Sequence, residues 1–191
     1  MNKKIIFFVL SVFFSFSAFS AGKVKAPGRG SVLIVGKLAY KTPIDTASRE
    51  EGFRAFKPWR RKLFEINKKY DFAFMPEFNG RSSDIIKDTM DGYFFQNIKL
   101  TPNSNRVYFN RFIVSLFTKA NKWNQFALPT DVSIVVPDDA VYVYIGTFEY
   151  DLDYALRIKD FNHIDEFEEA QKELNSALGK NVKLYRASLE F

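Results

Sequence analysis

The chain has 191 residues, with 28 lysines and arginines against 22 acidic residues and a formal net charge of +6. It contains no cysteine and one histidine, which excludes disulfides, a lipid-bearing N-terminal cysteine and a structural zinc site. The 22 phenylalanines and nine tyrosines favour β-strands, and no cofactor-binding motif is present.

The N-terminal segment predicts export. Lys3 and Lys4 precede an apolar run that starts at Ile5, and small residues follow this run, as in a secretory signal peptide of residues 1–20. Cleavage after Ser20 leaves 171 of the 191 residues and, with two lysines lost, lowers the formal charge from +6 to +4. We therefore expect a periplasmic or secreted protein, or one associated with the outer membrane, that has no transmembrane helix and does not bind nucleic acid.

Residues 21–30 are rich in Gly, Pro and Lys and read as a flexible lead. A β-branched run follows at residues 31–41, where Gly36 marks a bulge or a close backbone approach. Turn residues then separate further strand-like segments. The clearest of these are residues 93–100, 106–117 and 132–136.

The stretch at residues 140–160 alternates strictly over its first half. Val141, Val143 and Ile145 share one side, and the tyrosines and Phe148 share the other, which predicts a strand. Gly146 is a position at which the register can shift. We expect the acidic residues that follow to form the tip of a hairpin.

One amphipathic helix is predicted near the C-terminus, at about residues 163–178. Its apolar residues recur every three or four positions, Asn162 is the predicted N-cap, and Gly179 stands where a left-handed C-terminal residue is expected. A final strand is predicted at residues 182–191. The chain is therefore expected to be mainly β (α+β), a single-domain antiparallel β-sandwich over residues 31–191 with one helix.

Residues 91–116 resemble a segment of the exported bacterial prealbumin-like domains, the carboxypeptidase-regulatory-like sandwiches. An Asp-Gly turn leads there to an aromatic strand, a Pro-containing turn and a Tyr-bearing strand. The matching positions here are Asp91, Gly92, Phe94, Asn97, Ile98, Pro102 and Tyr108, although Asn103, Ser104 and Asn105 replace the usual Gly. Since such domains are mostly non-catalytic, the resemblance implies a binding module.

A basic segment at residues 49–69 is the first candidate site. It holds eight bases against three acids, a local charge of +5, with aromatic residues between them. Charge and aromatic insertion together can bind an anionic envelope surface, whereas the alternative is a solvated face with its aromatics packed inward. The tentative binding residues are Arg54, Lys57, Trp59, Arg60, Arg61 and Lys62.

An acidic cluster of Glu149, Asp151 and Asp153 is the second candidate. Alternate carboxylates can contribute to a hard-cation site or to glycoside hydrolysis, but a hairpin turn with its acids in solvent explains the same residues. His163 is a candidate general base or, as we prefer, a surface residue in the first turn of the helix.

The sequence therefore predicts an exported cell-envelope module of non-enzymatic type that binds a protein partner or an anionic envelope surface, without a cofactor or metal. Two alternatives remain. One is a carboxylate-based hydrolase of envelope material that uses residues 149–153. The other is a small outer-membrane β-barrel, because Tyr185, Ala187, Leu189 and Phe191 alternate as its last strand would.

Overall fold

A computed structural model describes residues 24–41, 72–82, 86–87, 92–117, 123–153 and 155–191. The predicted signal peptide lies outside the described residues. The elements described are β1 (Ser31–Tyr40), β2 (Phe72–Phe78), β3 (Arg81–Ser82), β4 (Ile86–Lys87), β5 (Gly92–Lys99), β6 (Arg106–Phe117), β7 (Trp123–Val135), β8 (Tyr142–Leu152), β9 (Ile158–Ile164), α1 (Phe167–Leu178), β10 (Tyr185–Arg186) and β11 (Ser188–Glu190).

The strands form two sheets. In the first sheet β5, β1 and β8 are neighbours in that order, and the other edge of β8 is shared by β10 along its first half and β9 along its second. The second sheet is antiparallel in the order β3, β2, β6, β7, β11, with β4 also paired to β2. The predicted mainly-β sandwich with a helix near the C-terminus is confirmed.

The first sheet is mixed and not wholly antiparallel as predicted, because β1 and β10 both run parallel to β8. A parallel pair needs a long connection, and the turn signals that predict hairpins do not indicate one. One face of β8 packs against the second sheet and the other face packs against α1. The residues of β8 are therefore almost all buried. This burial on both faces explains why β8 is not polar on alternate positions.

The core between the sheets is built from aromatic side chains. The Phe112 ring lies 4.9 Å from that of Phe109 and 5.8 Å from that of Phe148, with both pairs edge to face. The Tyr150 hydroxyl crosses the core and donates to the Pro129 carbonyl at 2.7 Å. Six phenylalanines are buried in this core between the sheets, and each ring contributes roughly 1.5–3 kcal/mol through burial.

A bulge in β8 changes which side chains face the core. Val35 pairs with Tyr144 but Lys37 pairs with Thr147, so β8 contains one extra residue at Ile145–Gly146. Beyond the bulge, Phe148 joins the core side. The possible register shift at Gly146 is therefore confirmed, and the strict division of the stretch into an aliphatic and an aromatic side ends there.

Of the two predictions for Gly36, a bulge or a close approach, the close approach is confirmed. A Cβ at this position would lie 2.5 Å from the Phe94 ring, nearer than the atoms of an ordinary contact. The ring of the neighbouring strand thus fills the space beside Gly36, while the bulge itself belongs to β8.

The helix begins later than its apolar periodicity predicts. It starts at Phe167, not near residue 163, because residues 158–164 form β9 against β8. Asn162, the predicted cap, lies opposite Glu149 in that pairing and donates to its side chain at 3.2 Å. The predicted C-cap is confirmed, since Gly179 is left-handed with φ 66°.

The predicted final strand is in fact two short strands. β10 belongs to the first sheet and β11 to the second, so the chain crosses between the sheets at Ala187. The Ala187 N–H donates to the Tyr144 carbonyl at 3.0 Å and ends the pairing with β8. Among the described residues, no helix is long and apolar enough to cross a membrane.

Candidate functional site

The three residues of the acidic cluster each contact a different neighbour in the β8–β9 hairpin. Besides the contact of Glu149 with Asn162, Asp151 pairs with Lys159 at 3.2 Å and Asp153 pairs with Arg157 at 2.7 Å. No group of three metal-binding side chains occurs among the described residues. The carboxylates are thus arranged as pairs along a hairpin.

Asp153 organises the hairpin tip, but the prediction that the acids of this turn lie in solvent is wrong. Asp151 lies within β8, and the side chains of Asp151 and Asp153 are only 15% and 22% exposed because both are paired. Its Oδ1 atom accepts from the main-chain N–H groups of Ala155 and Arg157 at 2.8 and 2.9 Å. The main-chain bond from Arg157, with the guanidinium contact, holds the pKa of the Asp153 carboxyl below its usual value. Asp153 therefore has a structural role in the turn.

A cleft of about 260 Å³ lies where β9 ends and β10 begins beside β8. This cleft, called the edge cleft below, opens at the side of the sandwich where the chain crosses between the sheets. Its lining includes Tyr144, Gly146, His163, Arg186, Leu189 and Phe191. None of the acidic cluster lines it.

His163 forms one wall of the edge cleft. Its Nε2–H donates to the Ile145 carbonyl at 2.8 Å, where β8 has the bulge. The imidazole lies edge to face with Phe148 and Phe191, both at 5.3 Å between centroids. The predicted position in the first helical turn is therefore wrong: His163 belongs to β9 and satisfies a carbonyl that a neighbouring strand would otherwise bind.

The charged groups at the rim of the cleft are paired. Arg186 contacts the Asp165 carboxylate at 3.2 Å and lies 3.8 Å from the centroid of the Phe167 ring. The other carboxylate oxygen of Asp165 accepts from the Phe167 N–H at 3.1 Å. By contrast, Phe191 is 68% exposed. The edge cleft thus offers mainly an apolar, aromatic surface, and the ion pair of Arg186 with Asp165 borders it.

A polar cluster beside the cleft fixes the start of α1. Glu166 Oε2 accepts from Lys37 Nζ at 3.0 Å and from the Thr147 hydroxyl at 2.6 Å. The Glu166 N–H donates to the Tyr144 hydroxyl at 2.7 Å. Since Glu166 occupies the N-cap position without a side-chain cap bond, these contacts to the first sheet, together with the bond from the Phe167 N–H to Asp165, hold the start of α1.

We expect Glu166 to contribute to the loss of folding stability as the pH falls into the acidic range. Burial alone raises its pKa, but the bonds from Thr147 and Lys37 and the lysine charge outweigh burial and lower it. Its contribution is therefore present above the unfolded pKa of about 4.3 and lost as pH falls through the lower native pKa. Urea unfolding midpoints should be measured between pH 3 and 7 for the native chain and for Glu166→Gln. As the pH falls, the midpoint of Glu166→Gln should decrease less steeply than that of the native chain, and equal slopes would contradict this.

Tyr93 places a hydroxyl under the same helix. The side chain is 5% exposed, and its hydroxyl has no hydrogen-bond partner among the described residues. Burial raises the pKa of this hydroxyl, and the carboxylates of Glu169 and Glu166 raise it further. The group therefore stays neutral and lies desolvated.

Tyr93→Phe is expected to leave stability unchanged or to raise it by about 1 kcal/mol, because it breaks no bond to a described residue and removes a desolvated hydroxyl. Tyr144→Phe is the matched control. It removes the acceptor of the Glu166 N–H and should cost about 1 kcal/mol. Chemical denaturation of both variants checks the pair, and a larger loss in Tyr93→Phe than in Tyr144→Phe would contradict it.

Comparison with protein-family models, with curated proteins and with solved structures finds no match to this chain.

The basic-segment candidates lie outside the described residues. They are Arg54, Lys57, Trp59, Arg60, Arg61 and Lys62. The edge cleft was not predicted from the sequence. Gly146, the glycine that interrupts β8, was the one feature of the sequence that pointed to this region.

Proposed function

We propose that the chain is an exported, non-enzymatic module of the cell envelope that binds a protein partner at the edge cleft. The N-terminal segment supports export. The observation that carries the binding function is the cleft itself, with Phe191 exposed and an aromatic wall at His163. Exposed aromatic surface beside a polar rim is typical of protein interaction sites.

The arrangement of the carboxylates favours binding over hydrolysis. A hydrolase that uses Glu149 and Asp151 requires both carboxylates to face one scissile bond in a common cleft. Each of them instead contacts its own polar partner on β9, outside the cleft. The hydrolase alternative therefore has less support than the binding module.

Site-specific photocross-linking in the source cell tests the proposal. A photoreactive residue at position 191 should give an adduct of one discrete mass. The same residue at exposed Asn103, beyond the opposite edge of the first sheet, should not give it. Glu149→Gln with Asp151→Asn should leave the adduct yield unchanged. Equal adducts from both positions, or no adduct at 191, would reject the proposed site.

The basic segment supports a second candidate function, attachment to an anionic surface. Its local charge of +5 is a sequence observation. Arg60→Glu with Arg61→Glu should then release the protein from phosphatidylglycerol vesicles, whereas Lys25→Glu with Arg29→Glu, an equal charge change at exposed residues, should not. Equal release by both pairs would reduce the effect to net charge, and no release by either would reject the candidate.

A further inference from the structure

We propose that the outer edge of β9 is a docking site for an extended peptide segment of the partner protein, which adds a strand to the first sheet. This inference rests on the proposed binding function and names the mode of binding. Among the described residues, β8 is the one strand paired with β9. Within the described ranges the opposite edge of β9 carries no paired strand, and it is there that we place the added strand.

The hydrogen-bond pattern shows which main-chain groups of β9 face outward. The Tyr150 carbonyl accepts from the Lys41 N–H at 3.0 Å, so the main-chain groups of Tyr150 point towards β1. Phe161 lies opposite Tyr150, and the two therefore form a pair that exchanges no main-chain bonds. The N–H and C=O groups of Phe161 point away from β8, and the same alternation applies to His163 two residues later.

The side chains at this edge are suited to a partner that is extended and apolar. Five large apolar side chains are exposed among the described residues, and three lie at this edge. Ile158 and Ile164, at the two ends of β9, are 40% and 37% exposed, and Phe191 lies 6.4 Å from the Phe161 ring between centroids. A row of outward amide groups beside apolar side chains matches another backbone with alternate apolar residues.

The charges of β9 do not oppose such a partner. Lys159 is paired with Asp151, and Asp160 lies 3.9 Å from Lys41. The following residues, up to Ile164, contain no acidic residue, lysine or arginine. A protected edge strand normally carries such a charge or a proline at its centre, and this half of β9 has neither.

The other long edge of the first sheet differs. β5 carries none of the exposed large apolar side chains. Its Asn97 side chain donates to the Lys25 carbonyl at 3.0 Å, so the segment before β1 already lies beside it. The edge cleft, in contrast, lies at the end of β9, where a peptide that follows Phe161 and His163 would place its next side chain. Strand addition at β9 thus combines main-chain bonding with a pocket for specificity.

The first test uses a display library of random linear eight-residue peptides, selected on the exported chain. Recovered peptides are titrated against Ile158→Lys with Ile164→Lys, which places charge on the edge. We expect affinity to fall at least tenfold. Tyr108→Lys with Val141→Lys is the matched control, since both residues are exposed (41% and 44%), lie outside β9 and add the same two charges, and it should change affinity less than twofold.

The second test reads the main chain directly. A bound peptide should slow amide hydrogen exchange at Phe161 and His163 at least tenfold, and N-methylation of its alternate amides should abolish binding. Peptides that bind equally to the lysine pair, or that leave these two amides unprotected, would overturn strand addition, as would recovery of no β9-dependent peptide. If the adduct at position 191 persists in that case, the binding function stands; if the adduct is absent, the proposed function itself fails.

Discussion

Gly146→Ala is expected to destabilise the protein by about 2–4 kcal/mol. Gly146 has φ 96°, a conformation that alanine adopts only with strain, and an added Cβ would lie 1.8 Å from His163 Nε2. The substitution thus forces the ring away from the Ile145 carbonyl and disturbs the bulge. Urea denaturation measures the loss.

A double-mutant cycle separates the two causes of this loss. In a His163→Ala background the collision is removed and only the backbone strain at Gly146 remains. Gly146→Ala should then cost about 1–2 kcal/mol, less than in the native chain. An equal cost in both backgrounds would show that the ring plays no part, and a cost below 0.5 kcal/mol in the native chain would contradict the close packing altogether.

Phe112→Ala is expected to cost about 3–5 kcal/mol, since it leaves a cavity at the centre of the core. Phe112 is fully buried, and its ring meets aromatic rings from both sheets. The closest ring contacts, at 4.9 to 5.8 Å between centroids, are with Phe74, Phe94, Phe109 and Phe148. A loss of this size is a large part of the total stability of an ordinary domain.

Phe191→Ala is the matched control for Phe112→Ala, because it deletes the same side chain from a position that is 68% exposed. It should cost less than 1 kcal/mol while removing one wall of the edge cleft. Equal losses in the two variants would contradict the placement of Phe112 between the sheets. The comparison also shows whether Phe191 can be altered for binding studies without unfolding the protein.

The C-terminal cap of α1 and the residue at the hairpin tip were readable from the sequence because both depend on neighbouring residues, whereas the predicted N-cap, Asn162, was wrong. Gly179 ends α1 through its own left-handed backbone, and Asp153 holds the hairpin tip through bonds within four residues. The start of α1 was predicted too early, because the apolar period continues back to Ile164 while tertiary pairing places that residue in β9. A local pattern does not show which distant strand will satisfy a segment's main chain.

Composition, turn residues and periodicity in the sequence were enough to indicate a mainly-β chain with a helix that ends at Gly179. The parallel pairing of β1 with β8, the crossing at Ala187 and the edge cleft were decided by the tertiary structure alone. The cleft joins residues from Tyr144 to Phe191. Local propensities act over a few residues. The contacts named above form only when segments distant in the sequence fold into sheets that bury their apolar faces together.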